Sequence, residues 1–478
     1  MLTRRQFVKS SVFAAAAVSL PTYAWSQVQG ANNDLRVAVV GFNGQGKSHI
    51  GSLRGLKGVR IVALCDADQA VLDQQVNDFE KRNLPVQAYT DVRKLLENKD
   101  IDAISTATPN HWHALISVWA CQAGKDVYVE KPVSHNVWEG RKIVEAARQY
   151  NRIVQTGTQC RSSSGIREAM QFIHEGGLGK IKLARSLCYK RRASIGKTEG
   201  PQPVPASVNY DLWTGPAPLT PLRRKHLHYD WHWVWPTGCG DLGNQGIHQM
   251  DLARWALDKH QLSPRVFSFG GRFGYEDDGE TPNTQIVYHD YGDAQLIFEV
   301  RGLPASTTQK NMDSYRGAGV GVVVDCANGY LVIPDYSSAT VYDPAGKVLR
   351  TFKGGGNHHG NFLQAVRSRK FSDLNADILE GHLSSALCHT GNISYRLGQL
   401  AAPGAIEEAL KADPEALECC QRVWEHLKAN QVDLQKTPAT FGAFLKMNPA
   451  TERFTNHDPA NAMLTRAYRQ PFVVPEKV

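Results

Sequence analysis

A chain of 478 residues, 42% hydrophobic, with 41 Gly and 23 Pro, has the length for two or three domains and the apolar content for a sizeable core, which excludes a disordered or fibrous polypeptide. Its formal charge of +8 comes without a dense Lys/Arg run, so nucleic acid is not an expected partner. Nine cysteines stand without C-x-x-C spacing, which argues for buried free thiols over a disulfide framework, and no Cys/His cluster has zinc spacing.

The first segment lies outside the fold argument. Thr3-Arg4-Arg5-Gln6-Phe7-Val8-Lys9 is a twin-arginine pattern, Val12 to Leu20 is a short Ala-rich apolar stretch, and Thr22-Tyr23-Ala24 offers a small-residue cleavage site. The apolar stretch is shorter than the ~20 residues needed to span a bilayer. No cysteine lies beside it for lipid attachment. Residues 1–30 are therefore expected to direct export of the folded protein to the periplasm, with no stable membrane anchor after processing.

Residues 31–160 read as a dinucleotide-binding domain. The β-branched run Val37-Ala38-Val39-Val40 ends in Gly41-Phe42-Asn43-Gly44-Gln45-Gly46, and an amphipathic segment follows. A second apolar run, Val59 to Leu64, closes on Cys65-Asp66. Strand, glycine turn, helix, strand and acid in this order suit a pyrophosphate at a helix N-terminus and a ribose diol on the carboxylate. Gly41, Asn43, Gly44, Gly46 and Asp66 are the candidate cofactor residues. Asp66 favours NAD, since a carboxylate repels a 2′-phosphate, while NADP is the alternative. Further apolar runs at 101–106, 125–130 and 152–156 alternate with helical patterns, which predicts a doubly wound parallel sheet.

After about residue 180 the rhythm changes. Short alternating runs (182–189, 265–273, 284–289, 294–300, 319–325 and 330–333) read as one antiparallel sheet with one face buried. Helices near 359–369 and 380–399 return to cover it. The expected class is thus α/β: a Rossmann domain, then an α+β domain over 161–400 with a large antiparallel sheet. The extension from 401 to 478 has no role assigned from sequence.

Two constellations follow apolar strands, at the carboxyl edge where ligands of open α/β sheets bind: Thr108-Pro109-Asn110-His111-Trp112-His113 and Val129-Glu130-Lys131-Pro132. A third, Gly240 to Asp251, opens a helix and contains Asn244 and His248. With Glu-Lys-Pro placed one βα unit after Pro-Asn-x-x-His, the chain resembles the Gfo/Idh/MocA oxidoreductases, named for glucose–fructose oxidoreductase and inositol dehydrogenase, over about residues 35–400. The resemblance implies that Thr108, Asn110, His113 and Glu130 close over the cofactor towards the nicotinamide. It implies Lys131 between nicotinamide and substrate, and His248 as the acid–base histidine. Where these dehydrogenases usually carry an aspartate, four residues before the histidine, this chain has Asn244, which binds hydroxyls without adding charge. The family's sheet often mediates association, so a homo-oligomer is expected.

The residue types suit oxidation of a secondary alcohol. An imidazole takes the hydroxyl proton, an ammonium stabilises alkoxide charge, and no metal is required. Lys190 or Arg191, at a strand end, is expected at the substrate pocket. Tyr229-Asp230-Trp231-His232-Trp233-Val234-Trp235 suits a sugar: aromatic faces stack on pyranose C–H groups while Asp230 and His232 take hydroxyls. Asp241 and Asp251 read as structural.

The functional expectation is an exported oxidoreductase acting on a sugar, glycoside or cyclitol. Free nicotinamide cofactor is not maintained outside the cytoplasm, so the cofactor would be retained and recycled. Two alternatives stand beside it: a glycoside hydrolase, lyase or epimerase working through a transient keto sugar, and a non-catalytic carbohydrate-binding protein.

Overall fold

The computed structural model describes residues 34–478; the twin-arginine segment lies outside the described residues. Six strands form the first sheet: β1 (Leu35–Val40), β2 (Val59–Cys65), β3 (Gln87–Tyr89), β4 (Ala103–Thr106), β5 (Asp126–Val129) and β6 (Val154–Thr156). Their order is β3-β2-β1-β4-β5-β6, and every pairing is parallel. β1, β2, β4 and β5 carry apolar side chains to both faces because helices cover both. Val37 and Val39 pack into one core with Phe42, Ile50 and Phe79, and Ala38 and Val40 into the other with Leu115 and Val118.

Register sets the site. Val40 is paired with Cys65 and with Thr106, and Thr106 with Val129. The strands therefore end level, and the residues after them (Gly41, Asp66, Thr108 and Glu130) emerge at one edge of the sheet. The helix Gln69–Lys81 begins where Asp68 accepts the Ala70 N–H, so the chain turns immediately after Asp66.

The second domain is built on a twelve-stranded sheet. Its central strands are β7 (Ile181–Tyr189), β8 (Arg265–Gly271), β9 (Thr284–Asp290), β10 (Gln295–Arg301) and β11 (Val320–Cys326). All their pairings are antiparallel except β7 with β10, which is parallel, so the sheet is mixed. Two further strands, β13 (Ser338–Tyr342) and β14 (Val348–Lys353), follow β12 (Gly329–Ile333) to one edge. The alternation of the sequence was too weak to reveal them: β14 is exposed at every residue but Phe352.

The expectation of a single buried face is corrected. Val266, Val287, Leu296 and Phe298 face the helices Ser164–His174, Ile247–Ala256 and Ile378–Arg396. The intervening Phe267, Phe269, Ile286, Tyr288 and Ile297 pack against Ile406, Cys419, Val423 and Leu427, on the helices Pro403–Leu410 and Pro414–Ala429. The C-terminal segment thus covers the second face of β8 to β10, on which the oligomer expectation rested. It then returns to the first domain, where Phe472 and Val474 are buried in the core. All nine cysteines are buried and free.

Candidate active site

The glycine turn has the geometry the sequence called for. Gly41 has φ +74° and donates to the Cys65 carbonyl at 2.9 Å; a Cβ there would lie 2.8 Å from Thr108. A Cβ at Gly46 would meet the Gly41 carbonyl oxygen at 2.1 Å, so this glycine brings the helix Gln45–Arg54 close against the strand rather than facing a ligand. Gly44 caps that helix without a side-chain hydrogen bond, and a Cβ there would meet nothing within 4 Å. Open space at a helix N-terminus is what a pyrophosphate requires. Asp66 receives the Phe42 N–H at 3.1 Å on Oδ2 and the Asp68 N–H at 3.1 Å on Oδ1. Burial lifts its pKa above the usual carboxylate value, against the pull of those two N–H groups.

A cavity of ≈ 380 Å³ runs from this turn to the domain junction. Gly41, Asn43, Gly44, Asp66, Thr108, Asn110, His113, Glu130 and Lys131 line it from the first domain, and Lys190, His232 and Asn244 from the second. Among the described residues the buried Asn110 Nδ2 has no oxygen or nitrogen partner, only the Cys239 thiol nearby, which leaves a donor for a ligand's carbonyl. These residues fit NAD: open glycine backbone for phosphates, a carboxylate for ribose, an amide donor further along.

Glu130 is the electrostatic centre of the deep end. Its Oε1 accepts from His49 Nε2 at 3.1 Å and its Oε2 from the Lys131 N–H at 3.1 Å, with Lys131 Nζ at 4.0 Å. Because the carboxylate can only accept, His49 Nε2 donates to it, and His49 Nδ1 lies 2.9 Å from Ser105 Oγ. Burial would raise Glu130, but His49, Lys131 and His248 together hold it well below the usual carboxylate range. Lys131 Nζ also donates to the Asn244 carbonyl at 3.2 Å, across the domain boundary. Its peptide bond to Pro132 is cis. The Pro132 carbonyl lies 2.6 Å from His113 Nδ1, and the Thr108 carbonyl 2.7 Å from His113 Nε2. His113 therefore ties the two loops together; burial lowers its pKa while the two carbonyls oppose the shift.

His248 lies beside this group rather than in the cavity wall. It is 5% exposed, its Nδ1 has no hydrogen-bond partner among the described residues, and its ring packs on Tyr336 at 5.2 Å. Burial first, then the Lys131 charge, push its pKa down to about 3, so the ring is neutral at pH 7. Lys190 Nζ donates to Gln245 Oε1 at 3.0 Å. Arg192, not Arg191, is its companion: the ladder continues past β7, with the Lys190 and Arg192 N–H groups donating to Arg301 and Gly302, and period-two alternation puts 190 and 192 on one side. Arg192 pairs with the buried Asp241 at 2.7 Å on both oxygens, which confirms a structural Asp241.

One expected ligand is misplaced. Asp230 is buried and its Oδ2 accepts from the His226 N–H at 3.0 Å and from its Nδ1 at 3.1 Å, so it braces the loop and does not reach the cavity. His232 does, stacked on Trp231 with ring centres 3.6 Å apart, and burial pushes its pKa down to about 3. Sequence reasoning also missed His49, Trp213 and His228. His49 had a legible signal, a polar residue on the apolar face that carries Ile50 and Leu53.

A Rossmann domain whose glycine turn, ribose carboxylate and lysine share a cavity with a second, sheet-based domain defines a two-domain NAD-binding oxidoreductase. The NAD-binding Rossmann domain of the Gfo/Idh/MocA oxidoreductase family matches residues 35–158, and that family's C-terminal alpha/beta domain matches residues 180–426. The chain belongs to this family.

Among curated proteins it is similar to a glycosyl hydrolase family 109 protein of Shewanella baltica, 37% identical over 120 residues, 24% of this chain and 26% of that one. An alpha-N-acetylgalactosaminidase of Shewanella oneidensis is 35% identical over the same extent. The match thus spans about a quarter of these relatives' length. Among solved structures, the WlbA dehydrogenase of Bordetella pertussis, in complex with NADH and UDP-GlcNAcA, aligns with TM-score 0.54 at 17% identity, covering 74% of this chain and 94% of that one. An oxidoreductase domain protein of Kribbella flavida aligns with TM-score 0.57 at 17% identity, covering 75% and 96%. At such identities the likeness is one of fold.

Proposed function

We propose that this chain is an exported enzyme that uses a retained NAD to oxidise or reduce a secondary alcohol of a sugar, glycoside or cyclitol. The observation that carries this reading is Lys131: its ammonium lies between the Glu130 carboxylate and the Asn244 carbonyl, in the cavity that begins at the glycine turn. NAD, when bound, supplies the hydride chemistry. The chain supplies the rest. Gly44 and Asp66 orient the cofactor, and Asn110 Nδ2 offers it a donor. The Lys131 ammonium stabilises negative charge on the substrate oxygen. His248, neutral at pH 7 and set just behind the cavity wall, is the acid–base candidate for the hydroxyl proton once substrate is bound. The stacked Trp231 and His232 present an apolar face with a polar edge, which suits a pyranose ring.

A second reading is favoured by the likeness to the glycosyl hydrolase family 109 proteins. There the ketone would be transient: it acidifies the adjacent C–H, the proton and the leaving group are lost to give an unsaturated ketone, water adds across its double bond, and the ketone is reduced again, so that a glycoside is hydrolysed without net redox change. Asn244 in place of the usual aspartate is compatible with it.

Export rests on the twin-arginine pattern at Arg4-Arg5. The decisive experiment is on protein purified from the periplasm without added cofactor. Denaturation and mass spectrometry should release stoichiometric NAD(H). Product analysis on glycosides then separates the readings: a keto sugar means net oxidation, and a freed aglycone with unchanged cofactor means cleavage. Sugar binding with no turnover and no NAD binding would overturn both in favour of a carbohydrate-binding protein.

A further inference from the structure

Apart from Trp231 and His232, the mechanism leaves unused a long excursion of the second domain, residues 204–233, which comes to lie on the first. Asp68 and Val208 face each other as an antiparallel pair, flanked by Gln69 N–H to Ser207 carbonyl at 2.8 Å and Asn209 N–H to Ala67 carbonyl at 2.9 Å. This attachment directly follows Asp66, the ribose carboxylate. His228 Nε2 lies 2.9 Å from Asp68 Oδ2 and adds a charge-assisted tie. On the opposite bank, Trp112 Nε1 donates to the Trp213 carbonyl at 3.0 Å, and His111 Nε2 lies 3.1 Å from the same oxygen.

The excursion therefore spans the groove and is fastened on both sides. Between its attachments it carries a small core of Val208, Trp213, Leu222, Leu227 and Trp231, with Ala67 of the first domain packed on it. The C-terminal tail braces it from outside: Arg469 reaches Asp211 Oδ1 at 2.5 Å and the Gly215 carbonyl at 3.1 Å, and Phe472 packs on Trp112. Trp213 and His228 line the same cavity as Gly44 and Asp66.

We propose that residues 204–233 are a strap forming the outer wall of the NAD site, with Trp213 and His228 as cofactor-retaining residues. This deepens the reading above and rests on its claim that NAD stays bound through the cycle. Asp66 and the helix N-terminus attract NAD but leave its outer side open. A strap tied to both banks encloses it, and NAD leaves only when one set of ties breaks.

The test uses the full chain loaded with NADH. Energy transfer from tryptophan to bound NADH reports occupancy, and chasing with excess NAD⁺ in a stopped-flow instrument gives the release rate. His228→Ala removes a tie inside the cavity. Arg469→Ala removes one outside the cavity wall, where loss of a direct NADH contact is no explanation. Each should speed release by about tenfold, the effect of one charge-assisted hydrogen bond. The pair Asp68→Cys/Val208→Cys replaces a non-hydrogen-bonded antiparallel pair, whose Cα atoms approach to about 4.5 Å, within disulfide reach. Oxidised, this variant should release NADH at least ~10-fold more slowly than after reduction of the same sample. Equal rates in the oxidised and reduced forms, or a wild-type rate in Arg469→Ala, would overturn the strap while leaving the redox reading standing. Wild type that binds no NADH at all would overturn the reading on which the strap rests.

Discussion

Lys131 and Asn244 meet across the domain boundary, the Lys131 ammonium donating to the Asn244 main-chain carbonyl at 3.2 Å. The side chain of Asn244 is thereby left to the cavity, where it adds polarity but no charge. The lysine is positioned by backbone of the second domain, and this contact exists only when both domains are folded together.

Replacing Asn244 by Asp puts a negative charge beside Lys131. An opposite charge favours the protonated ring, so His248 should titrate higher than about 3, by about one unit or more. Histidine ring resonances followed by NMR across pH 2–7 would read the shift. An unmoved His248 would mean that the side chain at 244 points elsewhere.

Asp66→Ala removes the carboxylate expected to hold ribose. NADH affinity should fall by about 10- to 100-fold, the loss of one or two hydrogen bonds to a charged group. Fluorescence titration with NADH and with NADPH measures it, and discrimination against NADPH should shrink in the same variant.

His49→Ala strips Glu130 of its buried donor. Urea unfolding at pH 7 should show about 1–3 kcal/mol lost, because the buried carboxylate keeps only the Lys131 N–H and ammonium as partners. The pH dependence should change too. In the wild type the depressed Glu130 contributes stability above its ordinary value of 4.5, which is lost as pH falls further. In the variant the Lys131 contacts remain but the His49 donor is gone, so Glu130 rises and that loss should shrink. A wild-type slope below pH 4.5 would count against the His49–Glu130 pairing.

Acid should destabilise the fold well before the carboxylates titrate. Burial pushes His111 and His289 down to about 3 and His389 to about 4, so the folded state holds them neutral where the unfolded chain protonates near 6.5. Between pH 6.5 and 4 the unfolded state binds more protons, and stability falls with pH by about 1.4 kcal/mol per unit for each such ring. Urea unfolding at pH 7, 6 and 5 reads this slope. Equal stability at all three would contradict neutral buried rings.

Local backbone chemistry made much of this protein legible in its sequence. The strand–glycine–helix unit with Asp66 dictated a dinucleotide site, because only glycine tolerates φ +74° at Gly41 and the contact at Gly46. The position of Glu130-Lys131 after an apolar strand placed both at the carboxyl edge. Contacts between distant segments were not legible. Asp230 read as a sugar ligand from its aromatic neighbours, yet the loop turned it onto His226. The tail from about 402 to 478 reads as helical at first and then irregular, yet nothing in it told that its helices would cover the sheet and that Phe472 would enter the first core. The strap's ties join residues 67–69 to 207–228, and the Lys131–Asn244 contact closes a similar distance along the chain. Dihedral preference and short-range periodicity act over a few residues and are written in order along the chain. Burial and electrostatic pairing act across space, so the enclosure of the cofactor groove was decided only when the two domains packed together.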